Sequence, residues 1–208
     1  MLWKVLVYII LWVSFQLLVY CQITPKQREW HTATFVDKKL YILGGVYLSD
    51  TNTKLNEFLY LDFSGPFNTK ALSWQNLSDK TVPAHTNAAT VVGGANNDTL
   101  FLYGGATPDV TMALVYTFDP KSELWSIPNI VGAPPERKYV LTGIIDNTGK
   151  MYLWGGYAPA TNGNVNDMSI LDTISLSWRE GSLVGAPSPR YTNGVVLLPN
   201  QNIIYMGK

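Results

Sequence analysis

Cysteine and histidine are nearly absent from this 208-residue chain: Cys21 is the single thiol, and His31 and His85 are the two imidazoles. One cysteine cannot close an intramolecular disulfide, so whatever folds here relies on burial and backbone pairing. Two histidines also make a poor basis for a metal centre, which wants several Cys, His or carboxylate ligands converging on one point. No metal or other cofactor is expected. Charge is scarce as well, at 14% of residues, with fifteen basic side chains balancing fifteen acidic ones. Zero net charge, without basic clusters interleaved with aromatics, leaves no electrostatic footprint for nucleic acid. No Gly-x-Ser-x-Gly elbow, phosphate-binding loop or dinucleotide fingerprint occurs, and Gly93-Gly94 stands in a turn pattern that leads into no helix. With 47% apolar residues the chain has ample material for a core, which excludes disorder.

The first twenty-one residues differ in kind from the rest. Met1 to Lys4 form a short cationic start, and Val5 to Tyr20 are apolar apart from Ser14 and Gln16. That is the outline of a secretory signal peptide, with cleavage after Cys21 leaving a domain without cysteine. An uncleaved membrane anchor is the alternative, since the run approaches the ~20 residues that span a bilayer. Lys26 and Arg28 beyond the run leave the orientation of such an anchor open. The expected location is therefore secreted, or membrane-tethered with the remainder outside the cytosol. Two N-glycosylation acceptors, Asn76-Leu77-Ser78 and Asn97-Asp98-Thr99, suit that route.

What is present in abundance is repetition. Val131-Gly132-Ala133-Pro134, with Arg137 close behind, recurs 53 residues later as Val184-Gly185-Ala186-Pro187 with Arg190. Apolar runs closing on a glycine pair occur at Gly44-Gly45, Gly104-Gly105 and Gly155-Gly156, and a fourth run reaches Gly207. A tryptophan follows each pair, at Trp74, Trp125 and Trp178, and before each tryptophan an apolar run ends in aspartate, at Asp62, Asp119 and Asp172. Glycine pair, acidic strand end and tryptophan in that order, at a period of roughly 50 residues, resemble the kelch repeat, each copy a four-stranded propeller blade. The resemblance implies an all-β, kelch-type β-propeller of about three and a half blades. Residues 28–74, 84–125 and 136–178 would form whole repeats, and 189–208 a partial one. Such an arc does not close a ring, so the sequence is expected to be a fragment of a longer chain or an open array needing a partner.

The first two strands of each blade are expected as hairpins: Thr32–Val36 with Leu40–Leu43, Ala88–Val92 with Thr99–Tyr103, Val140–Ile145 with Met151–Trp154, and Val195–Leu198 with Ile203–Met206. Their near-continuous apolar character predicts cover on both faces, with the tryptophans filling the space between blades. The glycine pairs predict close backbone approach or an unusual dihedral.

Function is expected in the loops after the glycine pairs, 46–56 and 157–166, with Asp50, Asn52, Lys54, Tyr157, Asn162 and Asn164 as candidate binding residues. The reading is a non-catalytic module that recognises a protein or a glycan, with a membrane involved only through an uncleaved leader. The second reading is a fragment of a galactose-oxidase-like carbohydrate oxidase. Those enzymes resemble this chain in their secreted kelch propeller, but their copper centre needs a cysteine–tyrosine cross-link and histidines, which would have to lie beyond Lys208. Repetition assigns structural roles to the rest. His31-Thr32 and His85-Thr86 are expected to open equivalent repeats, the three aspartates to end strands by accepting backbone amides, and Arg28, Arg137 and Arg190 to make inter-blade contacts.

Overall fold

The computed structural model describes Trp3, Tyr8 and residues 23–66, 68–79, 82–191 and 194–206. Apart from those two side chains, the expected leader lies outside the described residues, as do Thr192 and Gly207. Among the described residues no helix is long and apolar enough to cross a membrane.

A short strand β1 (Arg28–Glu29) leads into the first hairpin, β2 (Thr32–Val36) and β3 (Lys39–Leu43). Next come a small hairpin, β4 (Val46–Tyr47) and β5 (Asp50–Lys54), and the outer strands β6 (Phe58–Asp62) and β7 (Trp74–Asn76). The second unit is β8 (Ala89–Gly93), β9 (Thr99–Tyr103), β10 (Val115–Asp119) and β11 (Leu124–Ser126). The third is β12 (Ile144–Ile145) and β13 (Lys150–Trp154), the side hairpin β14 (Tyr157–Ala158) and β15 (Gly163–Asn164), then β16 (Met168–Asp172) and β17 (Ser177–Glu180). The last hairpin is β18 (Gly194–Leu197) and β19 (Ile203–Met206).

Three four-stranded antiparallel meanders result, in the orders β2-β3-β6-β7, β8-β9-β10-β11 and β12-β13-β16-β17, followed by the two-stranded β18-β19. The first strands of successive blades touch one another, β2 with β8, β8 with β12 and β12 with β18, which places them innermost. Among the described residues no strand of the first blade contacts the final hairpin, so the arc is open.

The cores lie between blades rather than within them. In β9, Leu100 and Leu102 join Tyr41, Phe58 and Phe118 on the first-blade side, whereas Phe101 and Tyr103 join Met151, Leu153 and Leu171 on the third-blade side. A period of two with both faces buried reads as a continuous apolar run. Each such side chain contributes about 1.5–3 kcal/mol of burial. Trp125 packs backwards on Phe58 with ring centroids 5.3 Å apart, and Trp178 on Tyr103 at 5.9 Å. Trp125 and Trp178 do fill the inter-blade space. Trp74 is half-buried on the outward side of the first blade, beside Ile42, Leu59 and Pro25.

Two expectations need correction. The first strand of the third blade is two residues long, not six. Val140 adopts φ of 56° and gives its N–H to the Asn87 carbonyl of the second blade, so it leaves the ladder that Val140 to Gly143 would otherwise extend. Cover on both faces also fails at the margins: β2 alternates buried and exposed, with Phe35 58% exposed, and β18 and β19 stay partly open.

Candidate binding face and its cleft

The glycine pairs build the joint between blades. Gly45, Gly105 and Gly156 donate their N–H groups to the carbonyls of His85, Lys138 and Arg190, the residues that lead into the following blade, at 2.9, 3.0 and 3.0 Å. The first glycine of each pair is pressed on the same carbonyl: a Cβ on Gly44, Gly104 or Gly155 would stand 2.7, 2.3 or 2.5 Å from that oxygen. All six glycines have positive φ. Close approach and dihedral thus act together.

Because each pair turns the chain in the same way, the segments that follow emerge at equivalent places in each blade. The loops expected at 46–56 and 157–166 are the hairpins β4–β5 and β14–β15, while 106–111 remains a loop. Hairpin β4–β5 is extended by β1, with Arg28 opposite Tyr47 and a register shift between Val46 and Tyr47. Asp50 and Asn52 are exposed and Lys54 half-exposed, and Asp50 Oδ1 accepts the N–H groups of Asn52 and Thr53. Tyr157 donates its hydroxyl to Asn162 Oδ1 at 2.5 Å and packs on the Tyr139 ring at 5.0 Å, and Asn164 stands exposed beside them. The six candidate binding residues form two groups, one on the first blade and one on the third.

Beneath these hairpins lies a feature that sequence reasoning missed. Arg28 and Lys138 occupy the same position before their blades, and each meets a carboxylate placed one residue before the third strand. Arg28 Nη2 donates to Glu57 Oε2 at 2.5 Å, and Lys138 Nζ to Asp167 Oδ2 at 2.8 Å. The Tyr47 hydroxyl also donates to Glu57. Burial works against the Glu57 carboxylate, but Tyr47 and Arg28 outweigh it and hold its carboxyl below the ordinary value. For Lys138 burial wins, and its ammonium is held below the ordinary lysine value despite Asp167. In the second blade the corresponding residues are His85 and Leu114, which bear no such pair. The legible signal was an acidic residue immediately preceding the third strand in two of three blades.

At the third blade this pair opens into a cleft of about 660 Å³, bounded by Glu136, Lys138, Asn164, Asp167, Arg179 and Glu180 among others. Lys138 is 1% exposed. Among the described residues Asp167 Oδ1, a buried atom of a half-exposed side chain, has no hydrogen-bond partner. The walls carry both signs of charge and mixed polarity, which suits a polypeptide segment better than a polyanion.

The residues given structural roles take them in part. Asp62, Asp119 and Asp172 cap the turn after their strands, accepting the N–H groups of Ser64, Lys121 and Ile174 at 2.7, 2.9 and 3.0 Å. Arg137 crosses a joint, donating to the carbonyls of Gly104, Met112 and Ala113. Arg28 instead stays within its own blade, and the Arg190 side chain bonds locally to Ser188 while its carbonyl makes the joint to Gly156. The histidines are not equivalent, contrary to expectation. His85 aligns with Arg28 and Lys138, whereas His31 aligns with Ala88 and Leu141, which take the same place against the second glycine of each pair. Their separation matched the period while the true offset at this point is three residues longer, from Arg28 to His85. Among the described residues no three His, Cys, Asp or Glu side chains converge as a metal site. Asn76 and Asn97 are both exposed, Asn76 on β7 and Asn97 in the β8–β9 turn.

Comparison with known proteins places this architecture. Over 193 residues, 88% of the chain, it is 27% identical to Acyl-CoA-binding domain-containing protein 6 of Oryza sativa subsp. japonica, of which the match covers 28%. It is also 27% identical to Kelch domain-containing protein 3 of Rattus norvegicus, covering 49% of that protein, and 25% identical to Host cell factor of Drosophila melanogaster, covering 14%. The chain thus spans at most about half the length of these relatives. The profile of the KLHDC2/KLHL20/DRC7 Kelch-repeats domain matches residues 30–208, from the lead-in of the first blade through the last hairpin, and the chain belongs to that kelch-repeat family.

Proposed function

We propose that this kelch unit is a non-catalytic protein-docking module that takes a short polypeptide segment in the cleft beside Lys138 and Asp167. The observation that carries this reading is the Lys138–Asp167 pair on the wall of a cleft that Arg179, Glu180 and Glu136 also line, with Asp167 Oδ1 lacking a hydrogen-bond partner among the described residues. A peptide N–H or a basic side chain satisfies that acceptor, and the hairpins β4–β5 and β14–β15 extend the contact surface. Kelch-domain relatives, Kelch domain-containing protein 3 among them, support an interaction role over catalysis. The test is a random-peptide display library panned on the purified chain. Enriched peptides should bind about tenfold more weakly to the Asp167→Asn and Arg179→Ala variants, and equally well to Asp98→Ala. Peptides indifferent to the cleft substitutions, or a chain that selects immobilised glycans and no peptide, would sink the reading.

The same proposal sets the module on the secretory route, supported by the apolar leader and by the exposure of both sequon asparagines. Mass spectrometry of the protein from its own cells should find an N-terminus at Gln22 and peptide-N-glycosidase-sensitive mass at Asn76 and Asn97. An intact Met1 with unmodified asparagines overturns it.

A further inference from the structure

The turn of hairpin β14–β15 ends on Asn162, and Gly163 follows it. The Asn162 N–H closes the turn by donating to the Pro159 carbonyl at 3.2 Å, and the residue takes φ of 51°, a left-handed conformation that asparagine tolerates. Asn162 is exposed. A Cβ on Gly163 would meet only the Thr161 carbonyl oxygen, at 3.8 Å, so the peptide nitrogen that follows Asn162 stands in open surroundings. Gly163, opposite Ala158, is also half of the last rung of a ladder two rungs long. A rung at the end of so short a hairpin opens readily.

Tyr157, on β14, donates its hydroxyl to Asn162 Oδ1 at 2.5 Å. That bond draws electron density from the carboxamide carbon and holds a donor where an oxyanion would develop under nucleophilic attack. The Tyr157 ring is itself steadied against Tyr139, with centroids 5.0 Å apart. An electrophilic carboxamide carbon, an unhindered peptide nitrogen one residue on and a fixed donor on the carbonyl oxygen are the components of an intramolecular acyl transfer.

We propose that Asn162 is a self-modification site. The Gly163 nitrogen, losing its proton to solvent base, bonds to Asn162 Cγ; the Cγ–Nδ2 bond breaks, ammonia leaves, and a succinimide ring remains. Water opens that ring at either carbonyl, giving aspartate from one and isoaspartate from the other, in which the main chain runs through the side-chain carboxyl. Water and solvent base are the only co-reactants. Either product places a carboxylate on the hairpin whose Thr161, Gly163 and Asn164 line the cleft beside Lys138 and Asp167. On the docking reading of that cleft, its selectivity shifts as the protein ages. The modification itself is read by mass and stands apart from that reading.

The full chain is incubated at mildly alkaline pH and body temperature until a synthetic peptide of residues 157–164 has converted in parallel, then digested and mapped by mass spectrometry. Replacement of amide by carboxyl at Asn162 is expected, read as its mass difference, with the isoaspartate fraction accepting a methyl group from an isoaspartyl methyltransferase. The chain's other Asn-Gly step, Asn193-Gly194, falls in a separate fragment. Tyr157→Phe keeps the ring and removes the donor, and should slow conversion about threefold or more. Gly163→Val crowds the nitrogen and should stop it. An Asn162 still intact when the peptide has converted overturns the proposal, as does a rate unchanged or raised in either variant. The comparison with the peptide uses the unaltered chain, so it holds whether or not a variant folds normally.

Discussion

A methyl group on Gly104 would stand 2.3 Å from the Lys138 carbonyl oxygen, at a φ of +70°. Gly104→Ala therefore combines strain with collision at the joint of the second and third blades, and should cost about 3 kcal/mol in urea unfolding. Gly65→Ala, with nothing within 4 Å of its Cβ, should change stability by no more than about 0.5 kcal/mol. A comparable loss at both sites would show that the joint is not what restricts Gly104. His85 makes a second residue-scale case. It is 1% exposed, and burial lowers its pKa below the ordinary 6.5, with Arg137 adding to that against the opposing hydrogen bond with the Pro83 carbonyl. The unfolded chain takes up this proton near 6.5 while the folded chain resists it to lower pH, so stability should fall as pH drops below 6.5. Melts from about pH 7.5 to about pH 5 should show that fall, and His85→Asn should lessen it without abolishing it, because His31 shifts in the same direction. A pH profile identical in the variant would sink the assignment.

At the scale of elements, the repeated tryptophans are alike in sequence and unequal in burial. Trp178 is 8% exposed in the second inter-blade core, whereas Trp74 is half-buried on the outward side of the first blade. Trp178→Ala should cost about 3–5 kcal/mol, and Trp74→Ala about 2 kcal/mol or less, by equilibrium unfolding of the two variants. Equal losses would mean that the outer side of the first blade is covered as fully as the joints. Much at this scale was legible: hairpins, glycine-pair geometry and aspartate caps follow from local chemistry that recurs. The exceptions share one cause. Val140 leaves its ladder because Asn87, in another blade, offers a carbonyl, and local pattern carries no record of a partner fifty residues away. The hairpins β4–β5 and β14–β15 likewise pair against lead-in residues, Tyr47 with Arg28 and Tyr157 with Tyr139, so polar segments that read as loops became strands.

For the whole molecule, an arc of blades that touch only neighbours behaves as a one-dimensional array, its stability a sum of blade and interface contributions. The second blade has an interface on each side, with Leu100 and Leu102 in one core and Phe101 and Tyr103 in the other. The final hairpin has Ile204 and Met206 43% and 55% exposed. Hydrogen-exchange mass spectrometry should therefore find the slowest amides in β9 and β10 and the fastest strand amides in β18 and β19. Uniform protection across all four would contradict a neighbour-only array. The amino-acid sequence by itself determined the repeat, the four-strand unit and the glycine joints, because each is written in residues a few positions apart. Only the tertiary structure decided that Lys138 pairs with Asp167 and that His31 and His85 are not counterparts. Those outcomes depend on which carbonyl or carboxylate the folded backbone brings across from tens of residues away, and spacing along one chain does not encode that delivery.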